Sequence, residues 1–135
     1  MAEQHRTLIQ TLGLLGLIPF LLLLTAMSVK AEYQYPLALT FAYYTACILS
    51  FLAGSFWREN KASLLIGSNL LTLYAAACLV LFHINALLSI SLLALGFLST
   101  LALEFYRQNA SWYRKLRIGL SLIVILMHGL FLILW

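Results

Sequence analysis

Five uninterrupted apolar runs, none containing Asp, Glu, Lys or Arg, decide what this chain can fold into. They cover residues 8–29, 36–57, 62–82, 86–103 and 118–135. An α-helix rises about 1.5 Å per residue, so a run of about 20 residues crosses a hydrocarbon core of roughly 30 Å. The chain is 64% hydrophobic and only 9% charged, with a mean hydropathy of +0.99. Lipid is the solvent such a sequence suits. Helix is then forced, because backbone polar groups in lipid must pair within their own segment. A β-barrel would alternate over about ten residues, and these runs do not.

The reading is an all-α integral membrane protein, a bundle of five transmembrane helices forming one membrane domain over 1–135. The connectors leave no room for a soluble domain, so any site lies inside the bundle, at its rims or on a partner. The first run has one competing interpretation. Arg6, the apolar stretch and Val29-Lys30-Ala31 resemble a secretory signal. The stretch is longer than the 7–15 residues of a signal core, which favours a true span. Gly13, Gly16 and Pro19 inside it suit a membrane helix.

The basic residues set the orientation. Arg6, Arg58, Lys61, Arg107, Arg114, Lys115 and Arg117 fall on one side and Lys30 alone on the other. Lys and Arg are held on the cytoplasmic face, so the N-terminus is expected inside and the C-terminus outside. The net charge of +4 belongs to this rim and is not a nucleic-acid signature.

Pro36 opens the second span after a short connector, and a charged turn over 58–61 ends that span. Residues 83–85 form so tight a connector that the third and fourth spans must be an antiparallel hairpin. The longest connector, 104–117, mixes Phe105, Tyr106, Trp112 and Tyr113 with four cations. It reads as an interfacial loop, with Arg107, Arg114, Lys115 and Arg117 contacting anionic lipid. Asn109-Ala110-Ser111 matches a glycosylation sequon, which carries no weight in a cytoplasmic loop.

Helices in lipid associate through close packing of small residues. Ala42, Ala46, Ser50 and Gly54 recur every four residues and are expected to form a helix–helix seam. Cys47 and Cys78 read as small apolar fillers. No residues have the spacing of a catalytic set, a metal site or a cofactor loop, and none is expected.

The polar residues left within spans are His128, Asn69, Tyr43, Tyr44 and Tyr74. His128 lies roughly 3 Å beyond the middle of its span, and Tyr44 and Tyr74 lie at similar depth. A histidine and two phenols in one layer are able to bind a polar headgroup such as a quinone ring. Interhelical hydrogen bonding explains them equally well and is the reading preferred. Asn69 sits on the cytoplasmic side of the midplane. Glu104, at a span end, can pair with Arg107.

Three stretches carry a family resemblance. Residues 12–20 (LGLLGLIPF), 48–57 (ILSFLAGSFW) and 111–117 (SWYRKLR) are similar, in that order, to motifs of the family called domain of unknown function 3429. That family includes transmembrane protein 69 of animal mitochondria. The resemblance implies a small five-span protein without assigned activity. Relatives tend to carry His where this chain has Phe56, so any role of that His is absent here. The mitochondrial relative points to an energy-transducing membrane of bacterial origin. Too few residues precede the first span for a transit peptide, so a bacterial cytoplasmic membrane is expected.

The favoured function is non-catalytic: an accessory or assembly subunit of a larger inner-membrane complex, with respiratory complexes the candidate class, partnered by the bilayer and by other subunits or further copies. One alternative is a binding module or carrier for a lipid-like molecule. A weaker one is a lipid-acting enzyme using Glu104 and Arg114.

Overall fold

A computed structural model of the chain describes residues 2–58, 61–107 and 111–135. Every regular element among the described residues is helical. The α-helices are α1 (Ala2–Leu15), α2 (Ile18–Val29), α3 (Gln34–Gly54), α4 (Ala62–Phe82), α5 (Ala86–Glu104) and α6 (Ser111–Leu134). Short 3-10 turns, Ala31–Tyr33 and Ser55–Arg58, flank α3. These helices make five stretches long and apolar enough to cross a membrane, α1 and α2 together forming the first.

The first stretch is broken at Gly16 and Leu17. Pro19, in the opening turn of α2, is the cause. It has no N–H to offer Leu15, and its ring pushes that carbonyl aside. The break leaves backbone groups to be satisfied by another helix. Tyr44 on α3 does so, its hydroxyl donating to the Gly16 carbonyl oxygen at 2.7 Å.

The last helix begins at Ser111 rather than Ile118. The SWYRKLR stretch is thus the opening of α6 and not a loop. Hydropathy marks the part of a helix that meets hydrocarbon, whereas Lys, Arg and aromatic side chains continue the same helix into the interface. Residues 105–110 join α5 to α6, and Asn109 and Ala110 of the sequon lie outside the described residues. So do Glu59 and Asn60 of the charged turn. At the other end of the bundle Asn85 caps α5, its Oδ1 accepting the Leu88 N–H at 3.0 Å. That cap closes the tight α4–α5 hairpin.

Helix α3 packs against α2, α4 and α5, and α6 packs against α5 and α2. The result is a ring of helices pinched where α3 touches α5. Gly96 permits the pinch: a Cβ there would stand 2.6 Å from Leu49 Cδ2. A second close approach joins α1 to α6, where a Cβ on Gly13 would lie 2.7 Å from Leu120 Cδ1. Arg6 lies over Trp112 further up the same pair, so α1 and α6 run in the same direction.

The stripe expected at Ala42, Ala46, Ser50 and Gly54 leaves the interior part-way. Ala42 and Ala46 are buried, Ser50 is half-buried and Gly54 is exposed. Nothing lies within 4 Å of a Cβ placed on Gly54. A four-residue step overshoots one helical turn by about 40°, so the stripe rotates out of the contact. The buried seam of α3 instead follows Ala38, Ala42, Thr45, Leu49 and Ala53. The core around it is aromatic. Phe20, Phe41, Phe56, Phe82, Phe97 and Phe131 are all fully buried.

Candidate functional site

Two polar centres stand inside this aromatic core. The first is His128, fully buried on α6. Its ring is boxed by Phe41 of α3, Phe97 of α5 and Phe20 of α2, with centroids 5.0, 5.8 and 6.0 Å away. Four helices therefore meet on one imidazole. Its Nδ1 is 2.7 Å from the Val124 carbonyl oxygen, one turn back. A carbonyl only accepts, so the hydrogen-bond network assigns the proton to Nδ1. Nε2 is then the acceptor, 3.2 Å from Thr45 Oγ1. Thr45 also stands 2.8 Å from the Phe41 carbonyl oxygen. Its single hydroxyl proton can serve either acceptor, but not both at once.

The expected companions of His128 are engaged elsewhere. Tyr44 donates to Gly16, and Tyr74 donates to the Leu92 carbonyl of α5. Each phenol ties its helix to a backbone carbonyl of a neighbour. Asn69 is not in this layer at all. It is exposed on α4, with Nδ2 donating to the Leu65 carbonyl at 3.1 Å. Tyr43 is also exposed. The depths inferred from spacing carry no information on rotation about the helix axis, which separates these groups.

The second centre lies at the basic end of the bundle. Glu104 closes α5 and is 2% exposed. Its Oε1 is 2.5 Å from Arg117 Nη2 and 3.4 Å from Arg107 Nη1. The Arg117 contact is close in charge but lies off the hydrogen-bonding directions. Ser55, just past α3, organises the two cations. Its Oγ accepts from Arg107 Nη1 and Arg117 Nη1, both at 3.1 Å, and donates to the Leu52 carbonyl. Its own carbonyl accepts from Arg107 Nη2 at 2.9 Å. The Phe56 ring lies under both guanidinium groups, 5.2 Å from Arg107 and 5.8 Å from Arg117. Tyr113 lies beside both as well.

This cluster corrects the reading of the rim. Arg107 and Arg117 are buried and turned toward Glu104, not toward lipid headgroups. Arg114 donates to the Arg107 carbonyl at 2.7 Å. Of the four cations assigned to lipid, Lys115 is the exposed one. Phe56 is not an idle replacement, since its face supports the guanidinium pair. The signal in the sequence was Glu104 itself. A single carboxylate at a span end cannot be buried alone, so its burial requires some of the neighbouring cations to be buried with it. Glu104 Oε2 has no hydrogen-bond partner among the described residues.

No group of His, Cys, Asp and Glu among the described residues has the arrangement to hold a metal ion. Cys78 is buried and Cys47 exposed, both as free thiols. No curated protein and no solved structure matches the chain. The family described as "Protein of unknown function (DUF3429)" matches residues 5–133, and the chain belongs to it.

Proposed function

We propose that this member of the DUF3429 family works in a bacterial cytoplasmic membrane as a non-catalytic accessory or assembly subunit. It docks onto a larger membrane complex, a respiratory one being the class the family resemblance favours. Its N-terminus lies in the cytoplasm and its C-terminus outside, as the basic residues direct.

The observation that carries this reading is Asn69. Its side chain is exposed on α4 beside Ile66, Leu70 and Leu73. The Leu65 carbonyl takes one amide proton, and Oδ1 has no partner among the described residues. Polar side chains in membrane helices normally face protein, where they bond across helices. An amide on the outer face of α4 supports reading that face as the seat of another protein's helix.

The alternatives draw less from the geometry. A quinone or similar ligand at His128 would have to displace Thr45 or Val124. A reaction at Glu104 would have to open its contacts with Arg107 and Arg117.

The full chain, extracted from its native membranes in mild detergent, tests the reading. It should run as part of a complex well above its own 15.2 kDa. Asn69→Leu should release it, while Tyr43→Phe, also on an exposed face, should not. A lone monomer in every case, or assemblies of this chain only, would count against an accessory role. Reporter fusions at the two ends should report opposite compartments.

A further inference from the structure

We propose that the groove between α1 and α6 at the basic end of the bundle is a headgroup site for an anionic phospholipid. The groove is lined by Arg6 and Gln10 of α1 and by Ser111, Trp112, Lys115 and Leu116 of α6. Two cations from two different helices thus face one opening. Both are exposed, and no carboxylate among the described residues is within ion-pairing distance of either. They differ in this from Arg107 and Arg117 nearby, which are buried against Glu104.

The groove is also organised. The Arg6 guanidinium lies 5.2 Å from the centre of the Trp112 ring. A cation stacked on an aromatic face keeps its N–H donors directed outward from its edge, ready for a phosphate. Gln10 and the Ser111 hydroxyl add neutral hydrogen-bonding groups beside the two charges.

Its vertical arrangement selects a lipid over a free anion. Along α6 the polar lining runs from Ser111 to Lys115, and from Leu116 onward the lining is apolar. One turn further on, Leu120 closes against Gly13. Trp112 stands with Arg6 at the outer end of the groove, and Trp prefers the interfacial level of a bilayer. A phospholipid has the same order, anionic above and apolar below. The site is independent of the docking face on α4.

The test is a lipid titration of the full chain in dodecyl maltoside micelles, read as retained lipid by native mass spectrometry. Phosphatidylglycerol should bind in preference to phosphatidylcholine. An anionic membrane surface holds each Lys or Arg by an energy equivalent to about fivefold in affinity. Arg6→Gln with Lys115→Gln should therefore weaken phosphatidylglycerol binding by roughly 30-fold. Arg6→Lys with Lys115→Arg should keep most of it. Arg58→Gln with Lys61→Gln removes the same charge from the same end and should change binding by less than about fivefold. Equal losses in the two neutralised variants would mean diffuse attraction and overturn the site. So would no loss in either. Millimolar inorganic phosphate should fail to displace phosphatidylglycerol; displacement would make this a soluble-anion site and overturn the assignment to lipid.

Discussion

Arg117 in the second turn of α6 reaches Glu104 at the last turn of α5, Nη2 to Oε1 at 2.5 Å. Ser55 bonds to the same arginine from the end of α3. Three helix ends are therefore tied by one buried ion pair at the basic end of the bundle. Breaking such a pair from one side leaves a buried charge without compensation, which typically costs about 3–5 kcal/mol. Glu104→Gln should destabilise the chain by about this amount, read as the midpoint of reversible unfolding in mixed micelles. Adding Arg117→Met should restore part of the loss. A change below about 1 kcal/mol for Glu104→Gln would show that the cluster does not hold the helix ends together.

Gly96 and Gly54 should respond oppositely to the same substitution. At Gly96 an added methyl would stand 2.6 Å from Leu49 Cδ2 and 3.2 Å from Tyr74 Cε1. Overpacking of this kind costs about 1–3 kcal/mol. Gly96→Ala should show that loss, and Leu49→Ala should relieve part of it. At Gly54 nothing lies within 4 Å. Gly54→Ala should be neutral or slightly stabilising, because Ala loses less backbone freedom in a helix. Equal losses at both glycines would contradict the α3–α5 contact.

Tyr44→Phe deletes the donor to the Gly16 carbonyl beside the Pro19 break. The expected loss is about 1–2 kcal/mol, the cost of a half-buried acceptor left unpaired. In a Pro19→Ala background the helix can close its own ladder across residues 16–20. The Tyr44→Phe loss should shrink there. An undiminished loss would mean that the phenol serves some purpose other than satisfying the break.

His128 and Thr45 are coupled across α6 and α3 by one contact at 3.2 Å. Hydrogen bonds between membrane helices average about 0.6 kcal/mol and reach about 1.7. A double-mutant cycle of Thr45→Val and His128→Leu should give a coupling energy within that range. A coupling near zero would remove the interhelical bond as the reason for a histidine at this depth.

The sequence was most legible where a property depends on position along the chain alone. The five apolar stretches, the tight turn at 83–85 and the family motifs were all readable this way. Helix α4 has the expected bounds, Ala62–Phe82. The start of α6 departs from the hydropathy boundary because Trp112, Tyr113, Arg114 and Lys115 change the hydropathy without ending the helix. The seam on α3 departs from the small-residue stripe because residues spaced by four do not stay on one face of a helix that turns every 3.6.

Side-chain direction was not legible in the same way. Asn69 and Tyr74 are near neighbours on α4, yet one is exposed and the other reaches Leu92 on α5. Arg107, Arg117 and Lys115 share one basic segment, yet the first two are buried and the third is exposed. Sequence alone determined that this protein would form apolar helices of membrane-crossing length and that most of its cations would gather at one end. Only the tertiary structure decided which polar groups bond one another and which look outward. The physical reason is that transfer into lipid depends on composition summed along a segment, whereas pairing depends on how each helix is rotated and which neighbour it meets.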